Sequence, residues 1–183
     1  MPHIDLPSEA PGILGLLIKY PATAKPLTEL AQVLLRGSSP LSPGEREIIA
    51  AYVSKLNGCK FCAGSHGAAA KHLLKDSPLA EVIDDPLKSE RITPKLKALL
   101  SIAESVQKGG RSVTEDQAAQ ARKQGATAEE IHIVVLIAAA FCMFNRYVDG
   151  LATVIPPDSD YPPMGQVMAE QGYVRQRNAP KAK

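Results

Sequence analysis

Four residues in the first half of the chain are spaced so that they could share one reaction. Cys59 and Cys62 stand three apart, His66 follows four later, and Glu47 lies twelve before the first cysteine. On a helix, positions i, i+3 and i+7 fall on one face, so Cys59, Cys62 and His66 would point the same way. Thiols at i and i+3 approach closely enough at a helix start to close a disulfide. The thiolate is the reactive form, and a helix N-terminus or a nearby base favours it. A peroxide would oxidise one thiol to a sulfenic acid, which the second would resolve to a disulfide. His66, one turn after Cys62, is placed to take its proton directly or through a water. Glu47 would hold the imidazole and stabilise it when charged. Spacing to His66 favours Cys62 as the attacking thiol, whereas the helix-end position favours Cys59. The reading adopted has Cys62 attack and Cys59 resolve, with Cys59 the thiol that an outside reductant reaches.

Two other chemistries compete for these residues. Two thiolates, an imidazole and a carboxylate are acceptable zinc ligands, but a structural zinc site generally uses a second Cys or His pair, and none is spaced for it. A purely structural reading makes both cysteines small buried apolar residues, which leaves the registered histidine and carboxylate without a reason. Elsewhere, Cys142 sits in an apolar run and reads as core filler. His132 opens the same helix as a partly buried histidine, and His72, six past His66, reads as solvated. Asn145, Arg146 and Asp149 follow the run, where they could line a pocket or bridge subunits; His3 lies in a loose terminus.

The elements that must position the four residues follow from local signals. Ser42-Pro43-Gly44-Glu45 is a capping box with proline at the first helical position, opening a helix that carries Glu47 to Leu56. Asn57-Gly58 stops it, with glycine free to turn left-handed. A second helix from Cys59 to about Lys75 would fold back on the first. Residues about eleven before and eleven after such a turn meet, which brings Glu47 within roughly a turn of His66. Around this hairpin, two apolar segments within residues 9–36 break at Tyr20-Pro21. Residues 76–92 read as a loop with a short helix near 79–83. Thr93-Pro94 opens a helix to about Gln107, and Thr114–Gln117 caps one to about Gln124. Thr127–Glu130 caps the long apolar helix, expected to reach Val154 before Pro156-Pro157. A short helix is expected at 165–171, and Val174–Lys183 reads as a basic, flexible tail. No alternating run lies between turn signals, so the expected fold class is all-α.

At 183 residues the chain fits one domain with a proper core. Its net charge of +2, with aromatics at 4% and no Trp, argues against nucleic acid as a partner. The N-terminus lacks the basic and apolar regions of a signal peptide, and the apolar run Ile133 to Phe144 is too short to span a bilayer. No membrane partner is expected. Three cysteines, two of them in a Cys-x-x-Cys, fit a cytoplasmic redox or metal site better than a secreted disulfide scaffold. The apolar helix 131–144 suggests a homo-oligomer.

Glu47 followed by Cys59-x-x-Cys62-x-x-x-His66 resembles the signature of the alkylhydroperoxidase D-like proteins, within the carboxymuconolactone decarboxylase superfamily. The stretches Leu41–Glu47 and Asn145–Gly150 resemble its peroxidase-related branch. The resemblance covers about residues 10–155. It implies an all-helical fold built on antiparallel hairpins, association into trimers or hexamers, and thiol-dependent reduction of hydroperoxides without haem, flavin or metal. Glu47, Cys59, Cys62 and His66 would be the acid, the two thiols and the base. Electrons would come from an outside dithiol, a lipoyl domain or a thioredoxin-like protein. The chain departs from the best-known members at Phe61, where they carry His or Tyr. The resemblance also leaves two other activities open. One is an acid–base enzyme of the decarboxylase type, with His66 and Glu47 acting on a small carboxylic substrate. The other is a non-catalytic redox sensor switched by its disulfide.

Overall fold

A computed structural model of the protein describes residues 1–7, 10–75, 77 and 86–174. Among the described residues there are eight α-helices, two short 3-10 turns and no strand, the all-α architecture the sequence predicts. The helices are α1 (Ile13–Lys19), α2 (Pro21–Arg36), α3 (Pro43–Leu56), α4 (Lys60–Leu73), α5 (Pro94–Lys108), α6 (Glu115–Lys123), α7 (Ala128–Gly150) and α8 (Tyr161–Gln171).

The centre of the molecule is α3. Ser42 accepts from the Glu45 amide, and Glu45 Oε2 accepts from the Ser42 amide at 2.8 Å, so both exposed ends of the first turn are satisfied. Residues 46–54 are then buried without a break. A helix covered on every side cannot present a polar face to water, so any charge it carries needs a partner inside the fold. Gly58 ends the hairpin turn at φ 75°, the left-handed conformation expected of it. The chain then reverses into α4, which packs antiparallel along α3. On the outside, α5 and α7 complete the core with Leu96, Leu99, Ile102, Val134, Ile137 and Phe141 around Ile48, Ile49 and Val53. Burying each such side chain contributes about 1.5–3 kcal/mol.

Helix α8 covers the other face of α4 at very short range. A Cβ on Gly165 would lie 2.4 Å from the backbone carbon of Ala68, and one on Gly64 would meet the Tyr161 ring at 2.7 Å. Only hydrogen in place of a side chain permits this approach. The close packing also fixes the segment after α8, which brings Tyr173 against α2, α3 and the middle of α4.

Three expectations need adjustment. Helix α7 ends at Gly150, not Val154: the Ala152 amide donates to the Asp149 carbonyl and the Thr153 amide to the Val148 carbonyl, a closure that takes the last carbonyls out of the helical ladder. Ala152 makes the exit at φ 49°, a left-handed conformation costing a non-glycine residue about 1–2 kcal/mol. Helix α8 begins at Tyr161 rather than 165, since Pro162 and Pro163 fall in the first turn, where no amide hydrogen is needed. At 23 residues, α7 is also long and apolar enough to cross a membrane, yet half of its most apolar stretch is buried inside the fold as a core helix. The short helix expected at 79–83 and the tail beyond Val174 lie outside the described residues.

Candidate active site

Antiparallel packing of α3 and α4 brings Glu47 and His66 together. His66 Nδ1 lies 2.7 Å from Glu47 Oε2. The second carboxylate oxygen is not idle: Tyr173 Oη donates to Oε1 at 2.5 Å, and Arg36 Nη2 lies 2.6 Å from the same atom. Glu47 is fully buried, which alone would push its pKa up. The His66 imidazole, the Arg36 guanidinium and the Tyr173 hydroxyl together outweigh that penalty and hold the carboxyl below its ordinary value. Tyr173 moves the opposite way. Burial and the adjacent Glu47 charge push its phenol well above the usual range, so it stays protonated and donates.

The imidazole is held on both faces. The Phe141 ring meets it edge-on at 4.6 Å between centroids, and the Tyr173 ring stacks at 5.9 Å with 15° between planes. Tyr173 is itself held by Gln32, whose Oε1 accepts from the Tyr173 amide at 2.8 Å, and Arg36 lies 5.2 Å over its ring. With Nδ1 directed at Glu47, Nε2 is the ring nitrogen left for the cavity.

Cys59 caps α4 and Cys62 lies in its first turn; both are free thiols. They share a hydrogen bond, which, with burial, pushes the Cys62 thiol well above its ordinary pKa. Asp149 adds to that rise, while a hydrogen bond from Asn145 opposes it. Cys62 therefore rests as the thiol, and any attack by its sulfur needs a base. Cys62 and His66 both line a cavity of about 820 Å³ bounded by α1, α2, α4, α7, α8 and the Tyr173 segment. Its walls are mainly apolar, with Ile13, Leu17, Leu27, Phe61, Phe144 and Met164 among them. Cys59 is not part of that lining. It was expected to be the thiol nearer an outside reductant, but it is fully buried, because the cap position turns it onto Val148 and Tyr161.

The remaining candidates fall as follows. Asn145 is buried beside the thiols, donating to Ser54 Oγ at 3.0 Å and accepting from Asn57 Nδ2 at 2.8 Å. With Arg146 and Asp149 it lines a second cleft of about 420 Å³. Cys142 is half-buried against the core and accepts from Asn57 Nδ2 at 3.6 Å. His132 is exposed, not partly buried, because its side of α7 faces away from α3 and α5. His72, expected to be solvated, is half-buried and lies 3.5 Å from Glu170 of α8. Among the described residues, no three His, Cys, Asp or Glu side chains form a group that could hold a metal ion. Sequence reasoning missed Arg36 and Tyr173. No local spacing points to either, since they come 11 residues before and 126 residues after the carboxylate they touch.

An all-helical fold with a dithiol at a helix start and a buried His–Glu pair across the same hairpin defines a recognisable class of protein. The chain belongs to the carboxymuconolactone decarboxylase family, whose model matches it in two stretches, residues 21–84 and 78–154. Among solved structures, it is similar to an alkylhydroperoxidase AhpD core, an uncharacterized peroxidase-related protein from Ralstonia eutropha JMP134. The identity is 27% over 86% of this chain and 82% of that one, with a TM-score of 0.74. An uncharacterized peroxidase-related protein from Silicibacter sp. TM1040 is 25% identical over 80% and 78% of the two chains, with a TM-score of 0.71. A protein of unknown function from Agrobacterium tumefaciens shares the fold at a TM-score of 0.68 and 20% identity, over 80% and 99% of the two chains. The alkylhydroperoxidase D-like helical fold is thus the fold of this protein. No curated protein matches the chain.

Proposed function

We propose that the protein is a thiol-dependent peroxidase that reduces hydroperoxides through the Cys59–Cys62 pair. The observation that carries this is the placement of Cys62 and His66 on the wall of one apolar cavity, with Glu47 behind the imidazole. His66 Nε2 takes the Cys62 proton, directly or through a water. The thiolate attacks the terminal oxygen of the hydroperoxide, so an S–O bond forms and the O–O bond breaks. The alkoxide leaves as an alcohol with the proton held by His66. Cys59 then attacks the sulfenic sulfur, forming the disulfide and releasing water. An outside dithiol, lipoyl or thioredoxin-like, closes the cycle by attacking the sulfur of Cys62 from the cavity that Cys62 lines. A peroxidase-related description of two structural neighbours supports the same reading. The cavity's size and apolar walls favour hydroperoxides with a hydrocarbon body.

A cytoplasmic setting, where thiols stay reduced, belongs to this proposal, as does assembly into trimers or hexamers. For the latter, Leu136 and Met143 lie seven residues apart on α7 and remain 39% and 43% exposed, an apolar stripe suited to a second copy. The test is mass and thiol titration after one equivalent of cumene hydroperoxide. The expected result is loss of two hydrogens with both thiols blocked. Intact thiols would overturn the proposal. Activity on a small carboxylic substrate that survives thiol alkylation would favour acid–base chemistry by His66 and Glu47. A disulfide that forms without turnover and shifts the assembly state on size exclusion would indicate a sensor.

A further inference from the structure

Glu47 accepts from three donors: His66 on one oxygen, and Tyr173 and Arg36 on the other. A phenol has one proton to give, and at 2.5 Å Tyr173 directs it at Glu47, although its Oη is also 3.2 Å from His66 Nδ1. Nδ1 must therefore carry its own hydrogen to bond Oε2, which leaves Nε2 as the acceptor of neutral imidazole. A fully buried carboxylate facing only a histidine would do something less useful: it would hold the imidazolium, with Nε2 already protonated and no longer a base. Donors on Oε1 draw negative charge away from Oε2 and weaken that pull.

We propose that Tyr173, reaching the site from the segment after α8, is a positioning residue that fixes the tautomer of His66 and lowers its proton affinity through Glu47. The inference rests on the peroxidase reading of Cys62 and His66, but its first readout does not. The groups that face or surround His66 are few. Glu47, with Arg46 next to it, comes from α3; Arg36 comes from α2; Cys62 lies one turn away on α4 itself. Tyr173 follows α8, and α7 presents the untitratable Phe141. Only Tyr173 can be stripped of its polar atom while keeping its shape over the ring.

Tyr173→Phe retains the stacked ring and removes the hydroxyl. The chain has four histidines, so the imidazole signal of His66 can be followed by NMR as pH is varied. Loss of a hydrogen bond to a charged carboxylate is expected to raise the His66 titration midpoint by roughly half to one pH unit. The acid limb of Cys62 oxidation by cumene hydroperoxide should move up with it, about three- to tenfold slower at a given pH on that limb. Replacement of Tyr173 by 3-fluorotyrosine, a stronger donor of nearly the same size, should move both readouts the other way. It also serves as the test if the phenylalanine variant does not fold. An unchanged His66 midpoint in a folded variant would overturn the inference. A shifted midpoint in a protein that does not consume peroxide would leave the positioning role standing and remove the peroxidase reading.

Discussion

Replacing Glu47 with glutamine changes one atom and should disable the site in two measurable ways. The amide keeps one acceptor oxygen. Arg36 and Tyr173 both donate, so that oxygen will face them and the NH2 group will face His66. The imidazole must then accept at Nδ1 and carry its hydrogen on Nε2, the tautomer that cannot deprotonate Cys62. Loss of a positioned general base slows proton-coupled steps by roughly 10²–10⁴-fold, and thiol oxidation by cumene hydroperoxide in stopped flow should fall by that order at pH 7. The second effect is on stability. Arg36 is only 10% exposed and loses its counter-charge, although it keeps hydrogen bonds to the carbonyls of Leu35 and Met168. Breaking a buried pair from one side costs about 3–5 kcal/mol, and the retained bonds place this case near 3. With a urea slope near 2 kcal/mol per molar, the midpoint should drop by about 1–2 M. The difference should shrink in acid. Glu47 has a folded pKa below its ordinary 4.5, so the stability it supplies is complete above that value and is lost as pH falls through the folded pKa. A variant with the native oxidation rate and urea midpoint would refute the assignment of Glu47 as both orienter and counter-charge.

Cys62→Ser should abolish the first oxidation, whereas Cys59→Ser should stop at one sulfenic acid per chain, trapped by dimedone and seen by mass. Gly165→Ala places a methyl 2.4 Å from the Ala68 backbone and should force α8 off α4. Overpacking of this kind costs about 1–3 kcal/mol, or roughly 2–10 °C in melting temperature by calorimetry. Peroxide turnover should also fall, because Tyr173 retreats with the helix. Phe141→Ala should cost about 3–5 kcal/mol in urea titrations, since the ring is 1% exposed and braces both the core and His66.

What could be read from the sequence, and what could not, divides along one physical line. Where neighbours along the chain decide the outcome, the signals were sufficient. The capping boxes at Ser42, Thr114 and Thr127 all form, and Gly58 turns left-handed where expected. The meeting of Glu47 with His66 was also legible, because two helices joined by a tight turn have fixed rise and register. Whatever depends on distant packing was not. His72 is half-buried because α8 sets Glu170 beside it, and Arg36 and Tyr173 arrive at Glu47 only because α2 and α8 dock. Burial of Cys59 under Val148 and Tyr161 is a third case, reversing the accessibility expected of it. The local pattern therefore located the thiols, the imidazole and the carboxylate, but not the groups that tune them.

The dependence of His66 on Tyr173 has a consequence for biosynthesis. A ribosome that has made both cysteines, the histidine and Glu47 has still to add more than a hundred residues before the phenol exists. Until that residue emerges and α8 settles, the nascent dithiol sits beside an imidazole of the wrong basicity and in an unfinished pocket. Full reactivity toward peroxide would thus wait for the last stage of synthesis, and messages truncated just ahead of codon 173 would yield chains that bear the full thiol signature yet react more slowly at low pH.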